Sequence, residues 1–407
     1  MTALQDAPTA EEKGARPSIC VVVGDMSADR HVAKLVGHMK ELEPDLEVFG
    51  VGGPEMEKAG VELLYNCQEF AAVGIVRLIA KIPLAAKIAN GILDNIQARQ
   101  PGCVLLVDSG GFNIRFSSTV RNRFKSLPII YFISPQVWGS RPWRLIELAR
   151  NVSKMLVIFP FEAAIYERKG ISVRFVGHPL MAKPDLWDQK YSRQEVMNEL
   201  GLDPERPMVA IFPGSRRQEI IDHMPVVAQA VKWIKRVRPE IQFVLSQSSQ
   251  YIANLIEKQM KGQELKSGLE GDLLLVSSDL NYKLLTIADL VWAKSGTTTL
   301  ETTLCGTPMI IFYRGDWLSY LLVLCFKTVK RVGWPNLLAG RDLVPELIQL
   351  DCRAEKLVEY TLDLIDVPAL RAEIAAQLRT LRDQLGQGDF AKNAALEILE
   401  IIRCRTA

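Results

Sequence analysis

Leu290-Val-Trp-Ala-Lys-Ser-Gly-Thr-Thr-Thr-Leu-Glu301 puts a strand, a turn and a helix start into one segment. Residues 290–293 form a continuous apolar run, too short for a helix and without the polar alternation of a half-exposed strand. Such runs belong to parallel sheets covered on both faces. Ser295 and Gly296 end the run, and three threonines open a helical segment. The first N–H groups of a helix have no intrahelical partners, and with the helix dipole they favour an anion. Glu301 falls in the first turns, where a carboxylate can accept both hydroxyls of a ribose. Its simpler role is to complement the helix dipole, worth about 0.3–1 kcal/mol.

The same design occurs once more. Residues 208–212 run into Pro213-Gly-Ser-Arg-Arg-Gln-Glu219 and then into helical periodicity. Gly214 permits close backbone approach, Ser215 is placed to cap the helix, and the Arg216 guanidinium suits bidentate phosphate contact. An ordinary turn with a solvated arginine would read alike. Two anion-ready helix starts in one half of the chain are better explained by one ligand carrying a diphosphate and a ribose. The candidate contacts are Gly214, Ser215, Arg216, Ser295, Gly296, Thr297, Thr298 and Glu301.

Outward from these segments, apolar runs at 208–212, 242–245, 273–276, 290–293 and 309–312 alternate with helical periodicity. An earlier series at 19–23, 48–51, 103–107, 129–133, 155–159 and 173–176 does the same, and the pattern restarts after Gly177-His178-Pro179. Val32, Leu35, Val36, Met39 and Leu42 recur at helical spacing. A chain of 407 residues exceeds what one core usually supports. The expected class is therefore α/β, with two Rossmann-like domains facing a cleft. A disordered leader covers 1–16, an N-terminal domain 17–178, and a C-terminal domain 179–385. A terminal segment, 386–407, belongs to a long helix over 369–403 with a break at Gly386-Gln-Gly388, and returns to the N-terminal domain. His178 reads as a hinge residue between the domains. Ligands in such sheets bind beyond the carboxyl ends of the strands.

Composition narrows the function classes. A net charge of +2 gives no electrostatic case for nucleic acid. Seven cysteines without a C-x-x-C pair, and only four histidines, suggest neither a disulfide framework nor a metal site. The leader has no apolar signal core and no apolar run is long enough to span a bilayer, so a cytoplasmic protein is expected.

Several further segments follow in order: Ser134-Pro-Gln-Val-Trp138, Phe175-Val-Gly-His-Pro-Leu180, and Pro335-Asn-Leu-Leu-Ala-Gly-Arg341 followed by Val344-Pro-Glu-Leu-Ile-Gln349. Together with Pro213–Arg216 and Ser295–Glu301, this ordered set resembles the lipid-A-disaccharide synthase family of GT-B glycosyltransferases. The resemblance implies inverting transfer of a diacylated glucosamine from UDP to the 6-hydroxyl of a diacylated glucosamine 1-phosphate. The products are a β-1,6-linked disaccharide 1-phosphate and UDP, with no cofactor or metal. One direct displacement needs a base for the acceptor hydroxyl and stabilisation of the departing diphosphate. The resemblance gives the second task to Arg216 and the helix starts, and makes Asn336 a donor-site residue. Arg341, in the same donor-closing motif, could equally form a structural ion pair with Glu346 or Asp342. The alternatives are another GT-B enzyme on a UDP-hexosamine, either a peptidoglycan-type transferase or an epimerase, and a non-catalytic sugar-nucleotide binder.

The candidate base is Asp108, which ends the run 103–107 and precedes Ser109-Gly-Gly-Phe-Asn113. The family places its proposed base at the matching position; the competing role is capping of the following helix. Gly111 stands where the family often has a second Asp. The loop Val23-Gly-Asp-Met-Ser-Ala-Asp29 keeps Gly24, Ser27 and Asp29 of the family's A-G-E-x-S-G-D but carries Asp25 and Ala28. Ser27, Asp29 and Gln136 are candidate acceptor-side residues. Trp143 and Arg144 are further candidates, and Trp138 reads as core.

Both implied substrates carry acyl chains, so an anionic membrane surface is an expected partner, at the cytoplasmic face of the inner membrane. Residues 71–87 set Val73, Ile75, Val76 and Ile79 beside Arg77, Lys81 and Lys87 with no acidic residue. Residues 317–331 repeat the theme. Two buried helices with basic caps would have the same composition. The expected partners are acylated glucosamine lipids and this surface, without nucleic acid, and a homodimer is allowed.

Overall fold

Two all-parallel sheets organise the chain in a computed structural model, which describes residues 17–24, 26–67, 82–269, 271–315, 330–386 and 388–406. The first sheet contains β1 (Ser18–Val23), β2 (Glu47–Gly52), β3 (Glu62–Asn66), β4 (Cys103–Val107), β5 (Ile129–Phe132), β6 (Lys154–Val157) and β7 (Val173–Phe175). Its spatial order is β3-β2-β1-β4-β5-β6-β7. The second contains β8 (Met208–Phe212), β9 (Gln242–Gln247), β10 (Leu274–Ser277), β11 (Leu290–Lys294), β12 (Met309–Tyr313) and β13 (Glu346–Ile348), in the order β10-β9-β8-β11-β12-β13. Each order reverses once, between β1 and β4 and between β8 and β11. Those reversals open crevices at the carboxyl ends of the strands, where ligands of such sheets bind.

Continuous apolar strands form here because both faces of each sheet are covered. Ile19, Val21 and Val23 with Cys103, Leu105 and Val107 bury on one face, while Cys20 and Val22 with Val104 and Leu106 bury on the other. This is the period-two alternation of strand side chains. The first face packs against the helix Met26–Leu42, through Val32, Leu35, Val36 and Met39. Leu42, which shares their spacing, is 41% exposed at the end of that helix.

Two expectations are corrected. β3 and β13 have no counterpart among the apolar runs; both are edge strands, and Glu62 and Glu346 begin them. The long final helix is two helices. Pro368–Asp383 buries Ile374, Leu378 and Leu381 against the C-terminal core, while Phe390–Thr406 buries Phe390, Ala394, Ile398 and Ile402 on the N-terminal sheet. The chain thus crosses between domains twice.

The two crossings touch. Gly177 (φ +98°) and Gly386 (φ +89°) lie so close that a Cβ on Gly386 would fall 3.0 Å from the Gly177 Cα. His178 N–H donates to Leu385 O at 3.0 Å, and Asn393 Nδ2 donates to Val176 O at 3.0 Å. Gly388 shares the left-handed backbone (φ +84°) but has open space around it. Gly388→Ala should therefore cost about 1 kcal/mol and Gly386→Ala about 2 kcal/mol or more, because only the second adds a clash to the backbone strain. Urea unfolding measures both; equal losses would mean that the crossing is not tightly packed.

Candidate active site

At the first crevice the loops after β1 and β4 are in contact. A Cβ on Gly24 would lie 2.0 Å from the Ser109 Cβ, so this approach requires glycine. Asp108 and Ser109 hold left-handed backbone at φ +48° and +45°, and Ile133, just past β5, at φ +56°. Each costs on the order of 1–3 kcal/mol and persists only where the surroundings dictate it. For Asp108 those surroundings are visible. Tyr131 Oη donates to its carbonyl at 2.5 Å, and buried Asn113 donates from Nδ2 to the carbonyls of Val107 (2.9 Å) and Asp108 (3.2 Å). Phe112, not Asp108, takes the N-cap position of the helix Asn113–Arg123.

These loops wall a cavity of about 390 Å³ lined by Asp108, Gly110, Gly111, Ser134, Gln136, Arg141, Arg144, Phe159 and Glu162, among others. Gln136 is exposed there. Ser27 is exposed in the first turn of its helix and is not among the lining residues. Asp29 has a different task from the acceptor role expected of it. It is buried and accepts from the N–H groups of Gly53 (2.9 Å), Glu55 (3.0 Å) and Met56 (3.1 Å), anchoring the start of the helix Pro54–Lys58. Gly111 has open space about its Cβ position.

Sequence inspection did not single out Glu162. It lies near the start of the helix Pro160–Glu167, where an acidic residue reads as a dipole complement. Instead its carboxyl is buried in the cavity wall. Ser134 Oγ (2.7 Å) and Trp138 Nε1 (3.0 Å) donate to Oε1, while Oε2 is buried without a hydrogen-bond partner. Burial raises its pKa from 4.5 to about 7, against the pull of those donors. Ser134 and Trp138 of the quoted motif thus serve to hold this group, and Trp138 packs in the core.

The second crevice joins both predicted ligand loops, since Ala293 of β11 pairs with Phe212 of β8. Arg216 is the N-cap of the helix Arg217–Val237, so Ser215 does not cap it. The anion at this helix start is internal: Glu219 Oε2 accepts from the N–H groups of Ser215 (3.0 Å) and Arg216 (3.2 Å). Gly214 leaves it room, since a Cβ there would lie 2.3 Å from Oε2. Burial would raise the Glu219 pKa, but Lys294 Nζ at 3.1 Å and the two N–H groups outweigh it and hold the carboxyl below its usual range. The Arg216 guanidinium, 83% exposed, makes a long ion pair with Glu219 Oε1 at 4.0 Å and otherwise faces solvent. Lys294, inside the opening segment yet not singled out from sequence, lies between the loops, 3.1 Å from where a Gly296 Cβ would stand. His223 ties the floor together: Nδ1 meets Pro213 O at 2.6 Å, and Nε2 accepts from Arg314 N–H at 3.1 Å. Burial lowers its pKa, consistent with a neutral ring.

Ser295, Gly296 and Thr298 are half-buried and Thr297 is exposed at the start of the helix Thr297–Cys305. The Thr299 hydroxyl is turned back to Gly296 O at 2.8 Å. Tyr282 Oη, also unnoticed in sequence, donates to Glu301 Oε1 at 3.1 Å, and burial raises the Glu301 pKa. Asn336 is fully buried, and both ends of its amide are committed to its own loop. Oδ1 accepts from Leu343 N–H (2.7 Å) and Val344 N–H (2.9 Å), and Nδ2 donates to Val344 O (2.8 Å) and Glu346 Oε1 (2.9 Å). It shapes the loop and does not reach a donor. Arg341 meets neither expected partner; it bonds Gln377, while Asp342 pairs with Arg331 at 2.7 Å.

The two crevices are joined by aromatic contact. Phe159, in the wall of the first cavity, stacks on Trp334 with ring centroids 4.1 Å apart, and Trp334 N–H points to Thr299 Oγ1 at 3.4 Å. Among the described residues no group of three or more His, Cys, Asp or Glu is arranged to hold a metal, and no helix is long and apolar enough to cross a membrane. Val73, Ile75, Val76, Arg77, Ile79 and Lys81 lie outside the described residues, as do Asp25 and 316–329.

A family model described as lipid-A-disaccharide synthetase matches residues 19–397. Similar curated proteins include the lipid-A-disaccharide synthase of Geobacter sulfurreducens, 36% identical over 94% of this chain and 97% of its own. That of Syntrophus aciditrophicus is 34% identical over 95% and 98%. Lipid-A-disaccharide synthase 1 of Legionella pneumophila (strain Lens) is 33% identical over 90% and 93%. Among solved structures, a UDP-GlcNAc 2-epimerase from Neisseria meningitidis bound to UDP-GlcNAc aligns with a TM-score of 0.61 over 94% of this chain and 100% of its own. It is 11% identical, a likeness of fold alone.

Glu162 gives the cavity a measurable signature. A carboxyl with a higher pKa folded than unfolded contributes stability below about pH 4.5 that is lost as pH rises to about 7. The loss is on the order of 3 kcal/mol at most. Glu162→Gln should remove that slope, so the stability difference between variant and wild type, followed by thermal unfolding from pH 4.5 to 8, shifts toward the variant as pH rises. Parallel curves would mean that the carboxyl is not buried in solution.

Proposed function

The chain belongs to the lipid-A-disaccharide synthetase family, and on that premise we propose how its residues divide the work of a glycosyltransferase. The reaction condenses UDP-2,3-diacylglucosamine with 2,3-diacylglucosamine 1-phosphate, giving the β-1,6-linked disaccharide 1-phosphate and UDP. The observation that carries the division is the contact between the crevices: Phe159, beside Asp108 in the cavity wall, stacks on Trp334, beside the helix that starts at Thr297.

In this reading the acceptor enters the N-terminal cavity and the donor nucleotide lies across the β8–β11 crevice. The acceptor O6 attacks C1 of the donor sugar as the bond from C1 to the diphosphate oxygen breaks. The hydroxyl proton passes to the Asp108 carboxylate, and UDP leaves with the bonding pair. Asp108 is suited to this because its backbone is locked by Tyr131 and Asn113 at the strand end. The diphosphate charge is met by the Arg216 guanidinium, by Lys294, and by the N–H groups of Thr297 and Thr298, so no metal is invoked. Lys294 is already oriented by Glu219. Glu301 takes the ribose hydroxyls, its carboxylate steadied by Tyr282. Lipid substrates require access to a bilayer, so this reading places the protein at the cytoplasmic face of the inner membrane as a peripheral enzyme, with acylated glucosamines as its partners.

The test is UDP release and disaccharide formation from the two acylated substrates by the purified protein. Turnover of water-soluble UDP-GlcNAc without the acylated pair would overturn the reading. Asp108→Asn, which tolerates the left-handed backbone, should lower kcat by about 10²–10⁴-fold, the usual share of a general base. UDP affinity should stay within about twofold, since the change is in the other domain. Equal loss of UDP binding would mark Asp108 as structural. Glu301→Gln should do the reverse, weakening UDP binding roughly tenfold for the loss of a charged hydrogen bond. Calorimetric titration with UDP separates the two.

A further inference from the structure

Both substrates of this reaction are diacylated glucosamines, and at C1 one carries UDP where the other carries a phosphate. Something on the acceptor side must tell them apart. Arg141 and Arg144 line the same cavity as Asp108. Arg144 Nη1 donates to Gly110 O at 2.7 Å, which fixes the guanidinium against the loop that carries Asp108. The charges acting on Arg144 are unbalanced. Arg141 and Arg115 are cations, and the single carboxylate among them, Glu147, is engaged by Ser118 Oγ at 3.0 Å. Burial and these two guanidinium groups pull the Arg144 pKa below its usual value.

Like charges gathered in a half-buried wall repel, and an anion between them relieves the repulsion. The guanidinium fork matches two phosphate oxygens at once. We propose that Arg141 and Arg144 bind the 1-phosphate of the acceptor sugar and so set its 6-hydroxyl at Asp108. The assignment rests on the disaccharide-synthase reading above. In the pyranose ring C1 and C5, the carbon that bears C6, flank the ring oxygen, so the 1-phosphate and the 6-hydroxyl share one edge of the sugar and can meet cations and base on one cavity wall. A volume of about 390 Å³ is in the range of a small-ligand site. Glu162, on the same wall, does not oppose a phosphate while its carboxyl is protonated, and burial favours that form below about pH 7.

The experiment compares two acceptors, the diacylglucosamine with and without its 1-phosphate, at saturating UDP-diacylglucosamine. Arg141→Gln is the first variant, because Arg141 is exposed and its loss leaves the packing intact. The wild type should favour the phosphorylated acceptor. Arg141→Gln should lose roughly 30- to 100-fold in kcat/KM on it, the size of a lost charge-assisted contact. On the dephosphorylated acceptor it should stay within about twofold, and UDP affinity should be unchanged, since neither involves the lost contact. Arg144→Lys, which keeps the charge and loses the fork, should fall between. Equal losses on both acceptors, or an undiminished preference for the phosphate, would overturn the assignment. Wild-type turnover of neither acceptor would instead overturn the disaccharide reading, and the phosphate site with it.

Discussion

Everything that brings donor and acceptor together depends on the contact between Gly177 and Gly386. The chain leaves the N-terminal domain and returns to it at this one place, with no side chain between the two backbones. A single connection would leave two domains free to pivot in every direction; two connections in contact restrict them to motion about a common line. The return segment is then anchored by apolar packing, since Phe390, Ala394, Ile398 and Ile402 bury on the N-terminal sheet. Around the crossing, Phe159, Trp187, Leu300, Leu304 and Leu385 form a small core shared by both domains. His178 belongs to this joint. Its ring lies 4.9 Å from that of Phe159, its Nδ1 accepts from Leu180 N–H, and burial lowers its pKa to about 3. A ring held neutral in that way is a structural acceptor, not an acid.

The two crevices solve one problem by opposite means. Each lies where strand order reverses, and each must offer backbone and charge to a ligand. The C-terminal crevice uses glycine and an internal counter-charge: Gly214 makes room, Glu219 satisfies the helix start, and Lys294 is held ready by the same carboxylate. Little strain is stored there. The N-terminal crevice stores it, in Asp108, Ser109 and Ile133 with left-handed backbone. Buried hydrogen bonds from Asn113 and Tyr131 hold Asp108 in place. Strain of this kind clusters where a side chain must be aimed, and the aimed side chain is the carboxylate assigned as the base.

Much of this was legible in the sequence, for reasons that can be stated. Continuous apolar runs revealed nearly every central strand, because strands buried on both faces admit no polar alternation. Edge strands β3 and β13 escaped because each begins on a charged residue that an edge tolerates: Glu62 faces solvent, and Glu346 accepts from Val332 N–H, Gly333 N–H and Asn336 in the adjoining loop. Strand-end motifs located both crevices, since loop positions after parallel strands are where sequence and ligand meet. What the motifs did not reveal was the use made of each polar group. Asp29 and Asn336 belong to recognisable segments, yet Asp29 spends its carboxylate on backbone N–H groups 24 and more residues away, and Asn336 spends its amide on the turn of its own loop. Glu162 is the converse, an acidic residue at an ordinary helix start whose pKa is raised by burial in a wall where Ser134 and Trp138, from another loop, donate to it. No local pattern records such a pairing.

Charge placement follows the same logic. A chain of net charge +2 must accept two anionic substrates in one cleft. A phosphate monoester and a diphosphate, each with about two charges and about 10 Å apart, repel by roughly 2 kcal/mol in water and several times that at an effective dielectric of 20. Bulk charge cannot offset this, so the offset has to be local and divided between the sites. On the proposed division of roles, Arg141 and Arg144 supply it in one domain, and Arg216 and Lys294 in the other. Neither set can serve the other's ligand, because the joint at Gly177 and Gly386 fixes which domain each belongs to. The distance between the anions is therefore set by how the domains are joined. With each anion met by its own cations, the main electrostatic objection to bringing O6 against C1 is removed.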